Sequence, residues 1–235
     1  MYSFNILTAG HCVYSSKYGL SDQVIVYLPT SQFNWIQLKV SKYIYDSRSN
    51  GTSHNIALIT LINPVPTNYK PICLTITEDV PSAIVIGFNH DKNTTKSLVQ
   101  QSNVEYINLE KCENERLSWI NKLPQLPVNQ RLKFTGYNKI DSSMLCANDT
   151  INDKFDINHT NRLNLVKSNC KHNSGEPLIS KSNDRWFLVG IVSGTWFNHD
   201  YNDCLTLLPT IYTGIWYYAE WINYNCIDCC LIETN

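Results

Sequence analysis

The stretch Cys170-Lys171-His172-Asn173-Ser174-Gly175-Glu176-Pro177-Leu178 places a serine in a tight, glycine-bearing turn that follows a cysteine and leads into an apolar run. Two earlier segments also combine polar side chains with an apolar run. In Leu7-Thr8-Ala9-Gly10-His11-Cys12 the run ends in small residues and a histidine, and in His54-Asn55-Ile56-Ala57-Leu58-Ile59 a polar pair precedes it. Each segment alone is ordinary, since serine and glycine are common in turns. Along the chain the three segments carry, in order, a histidine, an asparagine and a serine, so the rest of the sequence must show whether they belong to one site.

Outside these segments the sequence is typical of short β-strands. Runs rich in Val, Ile, Tyr and Leu are separated by Gly, Pro, Asn and Ser; they cover Asp22–Leu28, Phe33–Val40, Ile56–Leu61, Ala83–Gly87 and Trp186–Val192. Helical periodicity is clear at Ile215–Tyr224 and weaker at Glu110–Lys122. Many short strands with one terminal helix predict an all-β barrel or sandwich. The polar stretches 118–140 and 148–169 are predicted to be long loops or insertions.

The composition excludes two classes of partner. A net charge of −1 over 235 residues argues against nucleic acid, because binding it requires a basic face that displaces phosphate counterions. No apolar run reaches the length of about eighteen residues that a membrane-spanning helix needs. The length suits one large all-β unit or two small domains, and a hydrophobic fraction of 43% is ordinary for a globular protein.

Cysteine usage indicates an oxidising compartment. Nine cysteines are widely and irregularly spaced, which suits disulfides better than a metal site; they are Cys12, Cys73, Cys112, Cys146, Cys170, Cys204, Cys226, Cys229 and Cys230. The last three lie close enough together for zinc, but no second CxxC or HxxxH accompanies them, so we expect no metal and no other cofactor. An odd count leaves one thiol without an intrachain partner, and no secretory signal follows Met1. We therefore expect an extracellular protein whose first segment is missing.

Together and in this order, the three segments resemble the landmarks of the trypsin/chymotrypsin-like serine peptidase family. TAAHC, DIAL and GDSGGP surround the histidine, aspartate and serine of that family's triad. Further stretches resemble PICL, VTGWG, MLCAG, VGIVS and PGVYT in the family's order; they are Pro71-Ile72-Cys73-Leu74, Ile84-Val85-Ile86-Gly87-Phe88, Met144-Leu145-Cys146-Ala147, Val189-Gly190-Ile191-Val192-Ser193 and Pro209-Thr210-Ile211-Tyr212-Thr213. The resemblance covers nearly the whole chain.

This resemblance implies two antiparallel β-barrels with the active site in the cleft between them and a C-terminal α-helix. It places the first barrel, incomplete at its start, in residues 1–77, the second barrel with the helix in 78–225, and a Cys-rich tail in 226–235. It also implies a monomer that binds a protein or peptide.

The resemblance further suggests how the cysteines pair. It implies the disulfides Cys112–Cys146 and Cys170–Cys204. Cys73 would bridge to the terminal cluster or to a lost propeptide, and Cys12 would remain the orphan.

The resemblance assigns catalytic roles and shows departures from them. His11 would be the general base and Ser174 the nucleophile, whereas Asn55 stands where the family has the aspartate that orients the histidine. This replacement lowers turnover about 10⁴-fold in a family member, because an amide favours the wrong histidine tautomer. His172, which with Ser174 would form the oxyanion hole, replaces a glycine, and Asn173 replaces the aspartate that pairs with the activated amino terminus.

Two functions follow from these departures. The first is a secreted binding or regulatory homologue with severely reduced or no proteolysis. The second is an endopeptidase with residual activity and a small, elastase-like pocket, formed by Ser168, Ser193, Thr195 and Thr210, although the same residues are compatible with a filled pocket. A third alternative is a partial chain that folds poorly because its first barrel exposes strand edges.

Overall fold

The computed structural model describes residues 4–15, 17–30, 34–49, 53–78, 82–90, 97–122, 134–135, 139–149, 174–194, 197–198, 203–204, 209–226 and 228–233. Its strands are β1 (Asn5–Thr8), β2 (Tyr14–Ser15), β3 (Gly19–Leu20), β4 (Val26–Pro29), β5 (Trp35–Leu38), β6 (Val40–Tyr45), β7 (Ala57–Leu61), β8 (Cys73–Thr75), β9 (Ala83–His90), β10 (Ser97–Ile107), β11 (Phe134–Thr135), β12 (Met144–Asp149), β13 (Pro177–Ser182), β14 (Arg185–Gly194), β15 (Phe197–Asn198), β16 (Asp203–Cys204), β17 (Thr210–Gly214) and β18 (Leu231–Ile232). The helices are α1 (Leu109–Lys122) and α2 (Ala219–Asn225), with 3₁₀ turns at Gly10–Cys12 and Trp216–Tyr218.

The first part of the chain forms small antiparallel sheets. Strands β1, β7 and β6 make one sheet, and β2–β3 and β4–β5 make two-stranded hairpins. Val13, Ala57 and Ile59 are buried between them, since side chains alternate between the core and the outer face along each strand. Within the described residues, no pairing closes these strands into a barrel.

The second part contains a closed barrel of six strands. The strands follow one another in the order β13, β9, β10, β12, β17 and β14, and β14 pairs back with β13. Residues Phe187–Ser193 of β14 are all buried, as expected for a strand that is covered on both faces. The predicted all-β, two-barrel class is confirmed, and the predicted terminal helix is present as α2 preceded by a 3₁₀ turn.

One prediction about local structure is wrong in part. The weak helix predicted at Glu110–Lys122 is present as α1, so residues 118–122, also expected at the start of a long loop, belong to the helix instead. Its apolar face holds the buried Cys112 against Ile107 and Met144, and this tertiary packing stabilises a helix whose sequence pattern is weak. Most of the rest of the two predicted loops falls outside the described residues. No helix in the described part of the chain is both long and apolar enough to span a bilayer.

The end of the described chain is fastened to the sheet. Strand β18 lies parallel to β8, with Leu74 N–H donating to Cys230 O at 2.8 Å, and β8 in turn pairs with β14. A disulfide joins Cys73 to Cys230, and another joins Cys226 to Cys229. Each of the three closely spaced cysteines considered as zinc ligands, Cys226, Cys229 and Cys230, therefore forms a disulfide. The proposed domain boundaries remain a prediction; β8, which precedes residue 78, shares a sheet with the second barrel.

A shared core fixes the two parts of the chain against each other. Ala9, Ile56 and Leu58 from the first part belong to the same buried cluster as Ile191 and Ile215 from the second. Asn55 immediately precedes Ile56, and His11 is the second residue after Ala9. The core therefore determines where those polar side chains lie at the boundary.

Glu176 occupies the space above Gly87. A Cβ built on Gly87 would lie 2.5 Å from Glu176 Cδ and would also overlap Glu176 Oε2. The side chain of Glu176, which follows the serine turn, is thus accommodated by a glycine on the neighbouring strand β9.

We predict that Gly87→Ala destabilises the protein by about 1 kcal/mol, the lower end of an overpacking cost, because the new methyl group meets the carboxylate end of a flexible side chain that can turn away. In a Glu176→Gly background the same change should cost much less. Urea unfolding of the two single variants and the double variant measures this coupling. Equal costs in both backgrounds would contradict the packing argument.

Candidate active site

The turn that carries His11 is built by strand β1 and the 3₁₀ turn that follows it. Cys12 N–H donates to Ala9 O at 3.0 Å and Val13 N–H to Gly10 O at 3.1 Å, which folds the chain tightly at His11. Because Thr8 pairs with Ala57 across β1 and β7, this turn lies beside the residues just before β7. The His11 ring reaches the surface there.

Asn55 is 1% exposed and its amide is held in one orientation by two partners. Its Oδ1 accepts the backbone N–H of His11 at 2.9 Å. Its Nδ2 donates to Ser193 Oγ at 2.7 Å and lies 3.3 Å from Ser193 O. A backbone N–H can only donate and a carbonyl can only accept, so exchanging the amide oxygen and nitrogen would break both arrangements.

The orientation of Asn55 determines what faces the His11 ring. His11 Nδ1 lies 2.8 Å from Asn55 Nδ2 and 3.1 Å from Asn55 Oδ1. The nearer atom carries hydrogen, so the shorter contact is a hydrogen bond only when Nδ1 is bare. In a neutral imidazole the proton then resides on Nε2. This is the opposite tautomer to the one that a carboxylate at this position would favour.

Ser174 lies in the turn before β13, and this turn packs against the His11 turn. Gly175 has φ +92°, a conformation that glycine adopts readily, and a Cβ on it would overlap Thr8 Oγ1 and lie 3.5 Å from Ala9 N. Cys12 Sγ is 3.7 Å from Ser174 O. Within the described residues, no hydrogen bond joins Ser174 Oγ to His11.

The surroundings of His11 favour its neutral form. Desolvation lowers the pKa of the ring, and the opposing effect of the hydrogen bond with Asn55 is smaller. Among the described residues, no carboxylate contacts Nδ1. Asp46, the nearest upstream acid in the sequence, is occupied by Arg48, with Arg48 Nη2 2.6 Å from Asp46 Oδ2.

A set of contacts around residues 53–55 was not predicted from the sequence. Ser53 Oγ donates to Asp141 Oδ2 at 2.6 Å, and His54 Nδ1 lies 2.9 Å from Tyr218 Oη. Thr213 Oγ1 donates to Asn55 O at 2.9 Å. These partners lie 88 or more residues away along the chain, so no local pattern could have paired them. Together they bind the Asn55 segment to the second barrel.

The remaining predicted residues fall into two groups. Ser193 on β14 and Thr210 on β17 are buried, and Ser193 contacts Asn55 as described above. Cys112 and Cys146, the pair that the resemblance implied, form a disulfide between α1 and β12. The residues outside the described ranges are His172, Asn173, Ser168, Thr195 and Cys170, and Cys204 lies in the short strand β16.

Cys12 is a free cysteine beside the serine turn. Desolvation raises the pKa of its thiol, and hydrogen bonds with Thr8 and Ala9 oppose this shift less strongly. We predict slow alkylation of Cys12 by iodoacetamide at pH 7, with a rate that keeps rising with pH through the ordinary thiol range, because only the thiolate reacts. Peptide mapping by mass spectrometry, with glutathione as reference, measures it. A Cys12 alkylation rate that levels off at a lower pH than the rate of glutathione would contradict the prediction.

Residues 2–222 match the family model described as Trypsin. The match covers all three segments that carry His11, Asn55 and Ser174, together with the closed barrel and most of α2. The chain therefore belongs to the trypsin family of serine peptidase domains.

Proposed function

We propose that this chain is a trypsin-family homologue with severely reduced or no proteolytic turnover, which acts as a secreted protein that binds or regulates through its cleft. The observation that carries the proposal is the 2.8 Å contact between Asn55 Nδ2 and His11 Nδ1. This contact depends on the orientation of the Asn55 amide, which is set by the backbone N–H of His11 and by Ser193.

The chemical argument concerns the proton that a serine nucleophile must lose. A general base needs a bare Nε2 facing the serine hydroxyl, and it needs a negative partner at Nδ1 to stabilise the imidazolium that forms. Asn55 favours a hydrogen on Nε2 and carries no charge. Loss of this single partner corresponds to about 10⁴-fold in turnover in the family.

Other features support a binding role outside the cell. Three disulfides lie in the described residues, and such crosslinks persist in oxidising compartments. The shared core and the contact of the Ser174 turn with Thr8 and Cys12 keep the His11 and Ser174 turns together even without efficient chemistry, which suits a site that binds a peptide. We propose that the protein acts as a monomer on a protein or peptide ligand.

A second candidate is an endopeptidase with residual activity towards small residues. It is favoured by the packing of the Ser174 turn, in which Gly175 keeps a positive φ and fits against Thr8. Buried Ser193 and Thr210 are compatible with a small pocket.

A fluorophosphonate probe distinguishes the two candidates, since it labels only activated serines. We expect the native protein to show at most trace labelling of Ser174 at neutral pH. A Ser174→Ala variant and a heat-denatured sample set the background. Stoichiometric labelling within minutes that is absent in Ser174→Ala would overturn the reduced-activity proposal and establish the second candidate.

A further inference from the structure

We propose that the cleft beside Ser174 binds peptides by their free C-terminal carboxylate, with His11 Nε2–H as the principal donor. This inference rests on the proposed function, because it names the ligand class of the same site. It concerns what a site of this kind does once it no longer abstracts a proton.

The first step is the direction of the His11 donor. Nδ1 faces the buried Asn55, and the tautomer that accepts from Asn55 Nδ2 at 2.8 Å carries the ring hydrogen on Nε2. His11 is an exposed residue, and in an imidazole Nε2 lies on the side of the ring away from Nδ1. The donor is therefore available to a ligand in the cleft.

The second step is the serine. A protonated Nε2 can only donate, so His11 does not receive the hydrogen of Ser174 Oγ. The two turns are adjacent, as the Cys12 Sγ to Ser174 O distance of 3.7 Å shows. A ligand oxygen between them can accept from the imidazole and from the hydroxyl together.

The third step is the chemistry of the ligand. An ionised carboxylate offers only acceptors, whereas a C-terminal amide directs an NH₂ donor at one of the two protein donors. Hydrogen bonds to an ionised partner are also the stronger kind. A free C-terminus therefore fits this pair of donors better than an amidated or internal peptide.

The fourth step is the local charge. With an aspartate at position 55, an incoming carboxylate would face a second negative charge and the lone pair of Nε2. Here residue 55 is neutral, and Asp46 is paired with Arg48 at 2.6 Å. Asparagine at position 55 thus weakens His11 as a base, and it also removes the electrostatic repulsion that an aspartate would exert on an anionic ligand. Because partial desolvation lowers the pKa of His11, the donor near pH 7 is the neutral ring.

The test uses two matched pools of random hexapeptides, one with free C-termini and one with amidated C-termini, carrying different isotopes. The native protein, immobilised at pH 7.5, is exposed to both, and the retained peptides are quantified by mass spectrometry. We expect the acid pool to be retained about ten- to hundredfold more strongly, the range of one or two charged hydrogen bonds.

Two variants test the role of the tautomer. Asn55→Asp should abolish the preference for the acid pool, because it restores a bare Nε2 and adds a negative charge. Asn183→Asp, which adds the same charge in an exposed turn, should leave the preference intact. His11→Ala, at an exposed position, removes the donor without a change in the core and should also abolish the preference.

The outcomes separate this inference from the proposed function. Equal retention of both pools, or an acid preference that survives in His11→Ala, overturns the carboxylate proposal and leaves peptide binding in place. Retention of neither pool overturns the peptide-binding function itself, and the inference with it.

Discussion

Replacing Asn55 with aspartate is expected to accelerate fluorophosphonate labelling of Ser174 by at least about a hundredfold, and by up to about 10⁴-fold. The partners that a carboxylate needs are already present. The His11 backbone N–H lies 2.9 Å from Oδ1, Ser193 Oγ lies 2.7 Å from Nδ2, and His11 Nδ1 lies within 3.1 Å. An aspartate would accept from all three, place the ring hydrogen on Nδ1, and free Nε2 to act as a base.

The measurement is the second-order labelling rate at several pH values, with hydrolysis of an activated ester as a second readout. The nearby charge should raise the pKa of His11 above its value in the native protein, so the rate should rise from acid to neutral pH as the ring loses its proton. Asn183→Asp controls for added charge, and Asn55→Asp combined with Ser174→Ala controls for labelling elsewhere. A rise below threefold in a folded variant would show that the tautomer is not what limits the serine.

Removing the disulfide between Cys73 and Cys230 is expected to lower the melting temperature by about 10 °C. The two cysteines are 157 residues apart, and a crosslink closing such a loop stabilises by about 5 kcal/mol on entropic grounds, with 2–5 kcal/mol being typical. One kcal/mol corresponds to about 2–4 °C for a domain of this size. The loss should also loosen β18, whose parallel pairing with β8 begins next to the bridge.

The double variant Cys73→Ser/Cys230→Ser avoids leaving a lone thiol, and its melting is followed by circular dichroism. Cys226→Ser/Cys229→Ser is the matched control, since those cysteines are 3 residues apart and their loop is worth about 2 kcal/mol or less. Equal shifts in the two double variants would contradict the dependence on loop length.

The sequence alone predicts which segments carry the candidate site. A histidine after small residues, a polar pair before a buried strand and a serine in a glycine turn are local patterns, and their order indicates the family. Strand patterns likewise predicted the all-β class, because alternation and turn residues are local properties. Asn55 was identified as the departure from the triad at this level.

What the sequence could not supply depends on contacts between distant residues. The amide orientation of Asn55 is set by Ser193, which is 138 residues away. The packing of Glu176 over Gly87 also depends on residues that are distant in the sequence. The same is true of the hydrogen bonds that join Ser53 and His54 to the second barrel. The terminal cysteines were ambiguous between zinc and disulfides because both need only proximity, and the partner of Cys230 lies in β8.

The bond between Cys73 and Cys230 also changes what a nick in the backbone would do. Any single peptide bond broken between residues 74 and 229 divides the chain into two pieces that this bridge still holds together. The short strands β8 and β18 stay paired beside the bridge, and through β8 both pieces remain attached to β14. The two pieces of such a nicked molecule would separate only after a reductant had cleaved the disulfide between Cys73 and Cys230.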